Sequence, residues 1–239
     1  MAGPARTAVS LRGEDGRGGM SKLHTVSLVD ALAATLRRRV LDGGFDPGAG
    51  LTEQEVAADY DVSRPTAKTA ITTLVQEGLL RREPHKTAHV PQLFRADVED
   101  LFLVRIPLEI GVVALLVADP SAGSALADAA RAVTDLAAVP EGAPTSDFVD
   151  ADLGFHRALV AAVGSPRLTR LYAGLSGEIH LSMVQTRWAL GRDRIVAEHQ
   201  GVLDALRAGD GARAGHLMQT HLEGACAALT ATMRDPDPG

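Results

Sequence analysis

Apolar residues recur along this chain with a period near 3.6, interrupted by helix caps and by Gly or Pro breaks, which predicts a mainly α protein. Leu28, Leu32, Leu36 and Val40 fall at helical spacing, Arg37, Arg38 and Arg39 lie largely off that line, and Gly43-Gly44 stops the run. Thr52 followed by Glu55 is a capping box that opens a second helix. Asp61-Val62-Ser63 makes the turn into a third helix, capped by Ser63 and ended by Gly78. Residues 79–82 and 87–90 read as a small hairpin around Glu83-Pro84-His85-Lys86. After Pro91 the helical period returns, with helices expected at about 96–117, 121–138, 146–163, 166–190, 193–208 and 211–233.

The expected organisation is therefore a flexible Gly- and Arg-rich tail over 1–24, with Met20 as an alternative start, and a winged helix-turn-helix over 25–90. A linker at 91–95 leads to an all-helical bundle at 96–233. A chain of 239 residues that is 46% hydrophobic can fill two modest cores. Heavy use of Ala with 3% aromatic residues suggests closely approaching helices. Pro107 is expected to kink the first helix of the bundle.

The net charge of -6 looks wrong for a nucleic-acid partner until it is divided. Up to Val90 there are 12 Lys+Arg against 11 Asp+Glu, and beyond it 12 against 19, so the acidity lies in the second part and all three lysines in the first. The lone Cys226 can form no internal disulfide, and no Cys pair offers a zinc site, which points to a reducing compartment. No run of apolar residues approaches the roughly 20 needed to cross a bilayer, and no secretory apolar core is present. A soluble, cytoplasmic protein is expected.

Around the third helix at about 100° per residue, Ala67, Ala70, Ile71 and Leu74 fall on one side and Lys68, Thr69, Thr72, Thr73 and Gln76 on the other. The free side, with Arg64 and Thr66 at its entrance, carries the donors needed to meet phosphates and base edges in a major groove. Arg64 suits guanine, to which a guanidinium donates two parallel bonds, and Lys86 on the wing suits a phosphate. The bland alternative is a small helical domain with a solvated polar face.

The run Val62-Ser63-Arg64-Pro65-Thr66-Ala67-Lys68-Thr69-Ala70-Ile71, followed by Glu77-Gly78-Leu79-Leu80, resembles the GntR-type winged-helix repressors, whose usual pattern is close to V-S-R-T-P-V-R-E-A-L and E-G-L. That resemblance implies DNA contacts from Arg64, Thr66 and Lys68, and a wing tip at Lys86-Thr87 that enters a minor groove. The sequence departs from the pattern in three places. Pro65 and Thr66 are transposed, Lys68 stands where Arg is common and supplies a point charge instead of a fork, and Thr87 replaces a Gly, disfavouring a positive φ there.

Asp152 and His156 are one helical turn apart and project from one face. His199 and His221 lie eleven positions before and after Asp210. If Gly209-Asp210-Gly211 is the corner of an antiparallel helix pair, both histidines sit roughly 16 Å from it and converge. One carboxylate and three imidazoles suit a borderline divalent ion, with Zn, Ni, Mn and Fe all chemically possible. His216 is displaced by about 140° from His221 and is left out, and His180 either enters the pocket or packs.

Residues 148–168, with Asp152-Leu153-Gly154-Phe155-His156 and Gly164-Ser165-Pro166-Arg167-Leu168, together with Glu198-His199 and His221, resemble the FCD effector domain of the FadR-like branch. The resemblance implies a divalent ion held by Asp152, His156, His199 and His221 inside the bundle, and an arginine, here Arg105, facing the cavity. An ion with open positions would take a carboxylate ligand directly, and Arg105 would hold a second anionic group or instead pair with Glu109 at i,i+4.

The expected function is a homodimeric transcription regulator, a repressor by the family's habit, that binds a pseudo-palindromic double-stranded DNA operator and responds to a small organic acid. Two rivals are a metal-dependent hydrolase fused to a DNA-binding module and a scaffolding protein with a structural metal. The absence of an evident general base or nucleophile motif favours a protein that is not an enzyme.

Overall fold

The structure is a computed structural model that describes residues 27–119, 122–186 and 191–233; the expected tail, Met20 and the ends of two expected helices, at 121 and 190, lie outside them. The first unit contains α1 (Leu28–Leu41), β1 (Gly50–Leu51), α2 (Glu53–Asp59), α3 (Arg64–Gln76) and β2 (Ala88–His89). Each helix starts on a side-chain cap that satisfies an otherwise unpaired amide: Ser27 accepts from Asp30 N, Thr52 from Glu55 N and Ser63 from Thr66 N. Asp61 takes a positive φ of 49° in the tight turn between α2 and α3.

The expected hairpin is corrected in one respect. Residues 79–82 and 87–90 meet only in the single Arg81–His89 bridge, and the ladder partner of β2 is β1, with Gly50 opposite His89 and Leu51 opposite Ala88. A two-residue strand lacks the alternation by which strands are read from sequence. The left-handed residue of the wing is His85 (φ 64°), so Thr87 is relieved of the conformation that a Gly would have supplied.

The second unit is α4 (Arg95–Ala118), α5 (Ala122–Ala138), α6 (Thr145–Ala162), α7 (Pro166–Gln185), α8 (Arg192–Arg207) and α9 (Gly211–Thr232), in which α5 packs on α6, α4 on α9, α6 on α7 and α8 on α9. Its core includes Phe102, Val113, Leu153, Phe155, Ile179, Val202 and Leu222, whereas the core of the first unit includes Leu36, Ile71, Leu74, Leu80 and Val90. α4 runs unbroken through Pro107, which lies with Leu103 on the exposed side, where water can serve the carbonyl that Pro leaves without a donor. α4 is long and apolar enough to cross a bilayer (mean hydropathy 2.3 over an 18-residue window), but Arg105 and Glu109 interrupt its apolar run and are buried among the other helices, as in a core helix.

Candidate metal centre and nucleic-acid interface

Antiparallel packing of α8 on α9 follows from their corner. Gly209 takes φ +69°, and the Asp210 carboxylate caps α9 by accepting from Arg213 N at 3.0 Å. The two helices then return side by side, and His199 Nε2 stands 3.3 Å from His221 Nε2. α6 brings Asp152 and His156 to the same place: His199 Nε2 is 3.4 Å from Asp152 Oδ1, and the His156 ring centroid is 4.9 Å from that of His199. One ligand atom from each of Asp152, His156, His199 and His221 lies within 4.8 Å of the others, and all four residues are buried. His216 is exposed on α9, and His180 lines a separate cavity between the two units.

Two carboxylates that sequence reasoning gave no part in the cluster hold these imidazoles from behind. Glu109 Oε2 meets His156 Nδ1 at 2.5 Å, and Glu198 Oε2 meets His221 Nδ1 at 2.7 Å. Each leaves Nε2 as the nitrogen available to an ion, the arrangement that orients metal-binding histidines generally. Glu109 also accepts from Tyr172 Oη at 2.9 Å and from Arg105 Nε at 2.6 Å. Of the two alternatives for Arg105, the pair with Glu109 forms, through Nε, while Nη1 and Nη2 are buried without a partner. The i,i+4 spacing of Arg105 and Glu109 was readable, but the reach of Glu109 to His156 crosses 47 positions and carries no local signal.

The electrostatics suit a cation. Burial raises the Asp152 carboxyl above its usual range, against the opposing effect of His156 and His221. Burial lowers His199 well below the ordinary imidazole value, and neighbouring His221 and His156 push in the same direction. His156 is likewise lowered by burial, with Glu109 opposing. Burial acts to raise Glu109, but His156 and Arg105 outweigh it and hold this carboxyl ionised. Both Asp152 oxygens and His156 Nε2 are buried without a hydrogen-bond partner. Each such group costs about 1–3 kcal/mol when left unsatisfied, so the donor set fits a divalent ion on its own chemistry.

On the first unit, Arg64, Lys68 and Thr69 are exposed along α3, and Lys86 and Thr87 are exposed on the wing. Thr66 is half-buried and its hydroxyl lies 2.7 Å from Ser63 Oγ, so it belongs to the helix cap in the free protein. Thr69 donates its hydroxyl to Pro65 O at 2.9 Å and keeps its lone pairs for a donor. Lys86 makes an exposed pair with Glu83 at 2.6 Å, which a phosphate can displace. Arg64, Lys68, Lys86 and Thr87 line one groove with Gln54, Arg82 and His85. Arg82, missed in the sequence, is held 3.6 Å from Glu53 with a buried, unpartnered Nε. Its neighbour Arg81 points instead towards Asp97 and Glu178, and with only one bridge at this place no strand alternation marks Arg82 in the sequence.

A winged helix-turn-helix joined to a helical bundle defines a DNA-binding transcription regulator. Residues 28–90 match the bacterial regulatory proteins of the gntR family and residues 100–224 match the FCD domain, and the chain belongs to that family. It is 31% identical over 197 residues to an HTH-type transcriptional regulator in an unstable DNA locus of Streptomyces ambofaciens, covering 78% of each chain. It is 27% identical over 183 residues to a probable D-xylose utilization operon transcriptional repressor of Paenarthrobacter nicotinovorans, covering 77% of this chain and 80% of that one. A solved GntR transcriptional regulator from Rhodococcus sp. RHA1 superposes with a TM-score of 0.71 at 27% identity, over 86% of this chain and 99% of the other. Family and relatives are transcription regulators, so this protein is a regulator of transcription and not an enzyme.

Proposed function

We propose that the protein is a cytoplasmic, homodimeric repressor whose helical domain binds a divalent metal and a small carboxylate effector that alters its affinity for a pseudo-palindromic operator. The observation that carries this reading is the set of buried polar atoms without partners: both Asp152 oxygens, His156 Nε2, and Arg105 Nη1 and Nη2. Asp152, His156, His199 and His221 would hold the metal, which supplies a Lewis-acidic point of attachment for an oxyanion. Arg105 would donate from Nη1 and Nη2 to the effector's carboxylate, and Glu109 keeps the guanidinium in place through Nε. Arg64, Lys68, Thr69, Lys86 and Thr87 would meet the duplex, with Thr66 reaching the backbone once it leaves its cap partner Ser63.

Repression is supported by the name of the Paenarthrobacter relative. Dimerisation is supported by exposed apolar side chains on α4, where Leu103 is 71% exposed and Leu115 54%, a surface a second copy can cover. The hydrolase alternative loses its candidate bases, since Glu198 is engaged with His221 and Arg194, and Asp150 with Arg157. A thermal-shift screen of small carboxylic acids, with and without chelator, tests the proposal. A stabilising acid whose effect disappears with chelator supports it; acids that act equally in both conditions, or none at all, refute the joint metal and effector site.

A further inference from the structure

α7 belongs to two cores. Tyr172, Ile179 and Met183 are buried in the helical domain, while Leu181 is buried in the core of the DNA-binding domain, the one residue beyond Leu93 among the fully buried members of that cluster. The stripe that faces the DNA-binding domain continues along the helix as Gly174, Gly177, Glu178, Leu181 and Gln185. Glu178 meets Arg81 at 3.3 Å, and Gln185 brackets the linker by donating to Pro91 O and accepting from Leu93 N.

Glycine disfavours the interior of a helix, so two on one stripe call for a reason. The reason is the end of α3. A Cβ on Gly177 would stand 1.7 Å from the carbonyl oxygen of Glu77, and one on Gly78 would stand 2.7 Å from that of Gly174. Backbone therefore seats on backbone where the DNA-reading helix stops, and Arg37 of α1 grips the Glu77 carboxylate from the other side at 2.6 and 2.8 Å. Two residues before this stripe begins, Tyr172 donates to Glu109, the same carboxylate that orients His156 and Arg105.

We infer that α7 transmits occupation of the buried centre to the end of the DNA-reading helix, with Tyr172 as its sensor of Glu109 and the seat formed by Gly174 and Gly177 as its output on residues 77–78. The inference rests on the proposed metal reading, since an ion on His156 Nε2 strengthens the Nδ1 bond to Glu109 and changes what that carboxylate offers Tyr172. Transmission needs no new contact, only an element that both sites bias.

The test is amide hydrogen exchange on the metal-free full chain, before and after saturation with zinc, with zinc uptake followed independently by calorimetry. The reporters are the amides of Gly78, Leu79 and Leu80, bonded to Val75 O and Leu74 O. In the parent, zinc changes exchange at these amides by about fivefold or more. Tyr172→Phe, which removes one hydroxyl and keeps the ring, loses that response at saturating zinc. Gly177→Ala, whose methyl group cannot fit beneath Glu77, exchanges fast at these amides with or without zinc while still taking the ion up. Zinc uptake by the parent with no change at 78–80, or a Tyr172→Phe response equal to the parent's, overturns the inference and leaves the metal site standing. No zinc uptake by the parent removes both.

Discussion

Glu109 on α4 and His156 on α6 share a buried hydrogen bond of 2.5 Å that determines which imidazole nitrogen is left for the cluster of Asp152, His199 and His221. Because the carboxylate is held ionised, it selects the tautomer with hydrogen on Nδ1. Glu109→Gln keeps the size and removes the charge. Its expected effect is a loss of about 10–100-fold in metal affinity, the usual cost of removing an outer partner of a ligating histidine. Competition with a chromophoric chelator measures it, and an affinity equal to the parent's would show that the bond does not position His156.

Arg64 is exposed at the start of α3, where its fork can reach a base edge. Arg64→Ala should weaken binding to an operator selected from a random duplex library by about 1–3 kcal/mol and relax its sequence preference at one position. Lys86→Ala should instead weaken all sequences alike and reduce the salt slope by about 1. Gel-shift titrations at several salt concentrations separate the two roles, and identical profiles for both variants would remove the assignment of Arg64 to base readout.

His180 predicts a pH dependence of stability that is independent of any metal. It lines a cavity of about 380 Å³ between the two domains, and burial lowers its imidazole to about 4, with Arg157 pushing the same way and Asp150 and Asp42 opposing. Its unfolded value is near 6.5, so between about 6.5 and about 4 the unfolded chain binds the proton more readily than the folded one. Stability is full above that window and falls as pH drops through it, by up to about 3 kcal/mol from this group alone. Denaturant titrations from pH 4 to 7 on metal-free protein should show a flatter profile for His180→Gln, and unchanged slopes would contradict the role.

Much of this was legible before the structure because it is periodic or local. The helix caps at Thr52 and Ser63 follow from side chains that accept from amides three positions on, and the i,i+4 and hairpin spacings of Asp152, His156, His199 and His221 place them on inward faces. What escaped sequence reasoning depends on contacts across distant stretches. β1 is too short to carry a period, the hold of Glu198 on His221 spans 23 positions, and Gly177 reads as an ordinary weak point in a helix until Glu77 is seen lying on it. Tyr172 likewise looks like a core aromatic, and only its hydroxyl, aimed at Glu109, separates it from a phenylalanine.

The central claim is that the buried carboxylate and three imidazoles hold a divalent ion, and elemental analysis by inductively coupled plasma spectrometry tests it most directly. Full-length protein, purified without chelator and without added metal, should carry an ion that is lost in the Asp152→Asn, His199→Gln double variant. Equal metal content in parent and variant, with both folded by circular dichroism, would contradict the account.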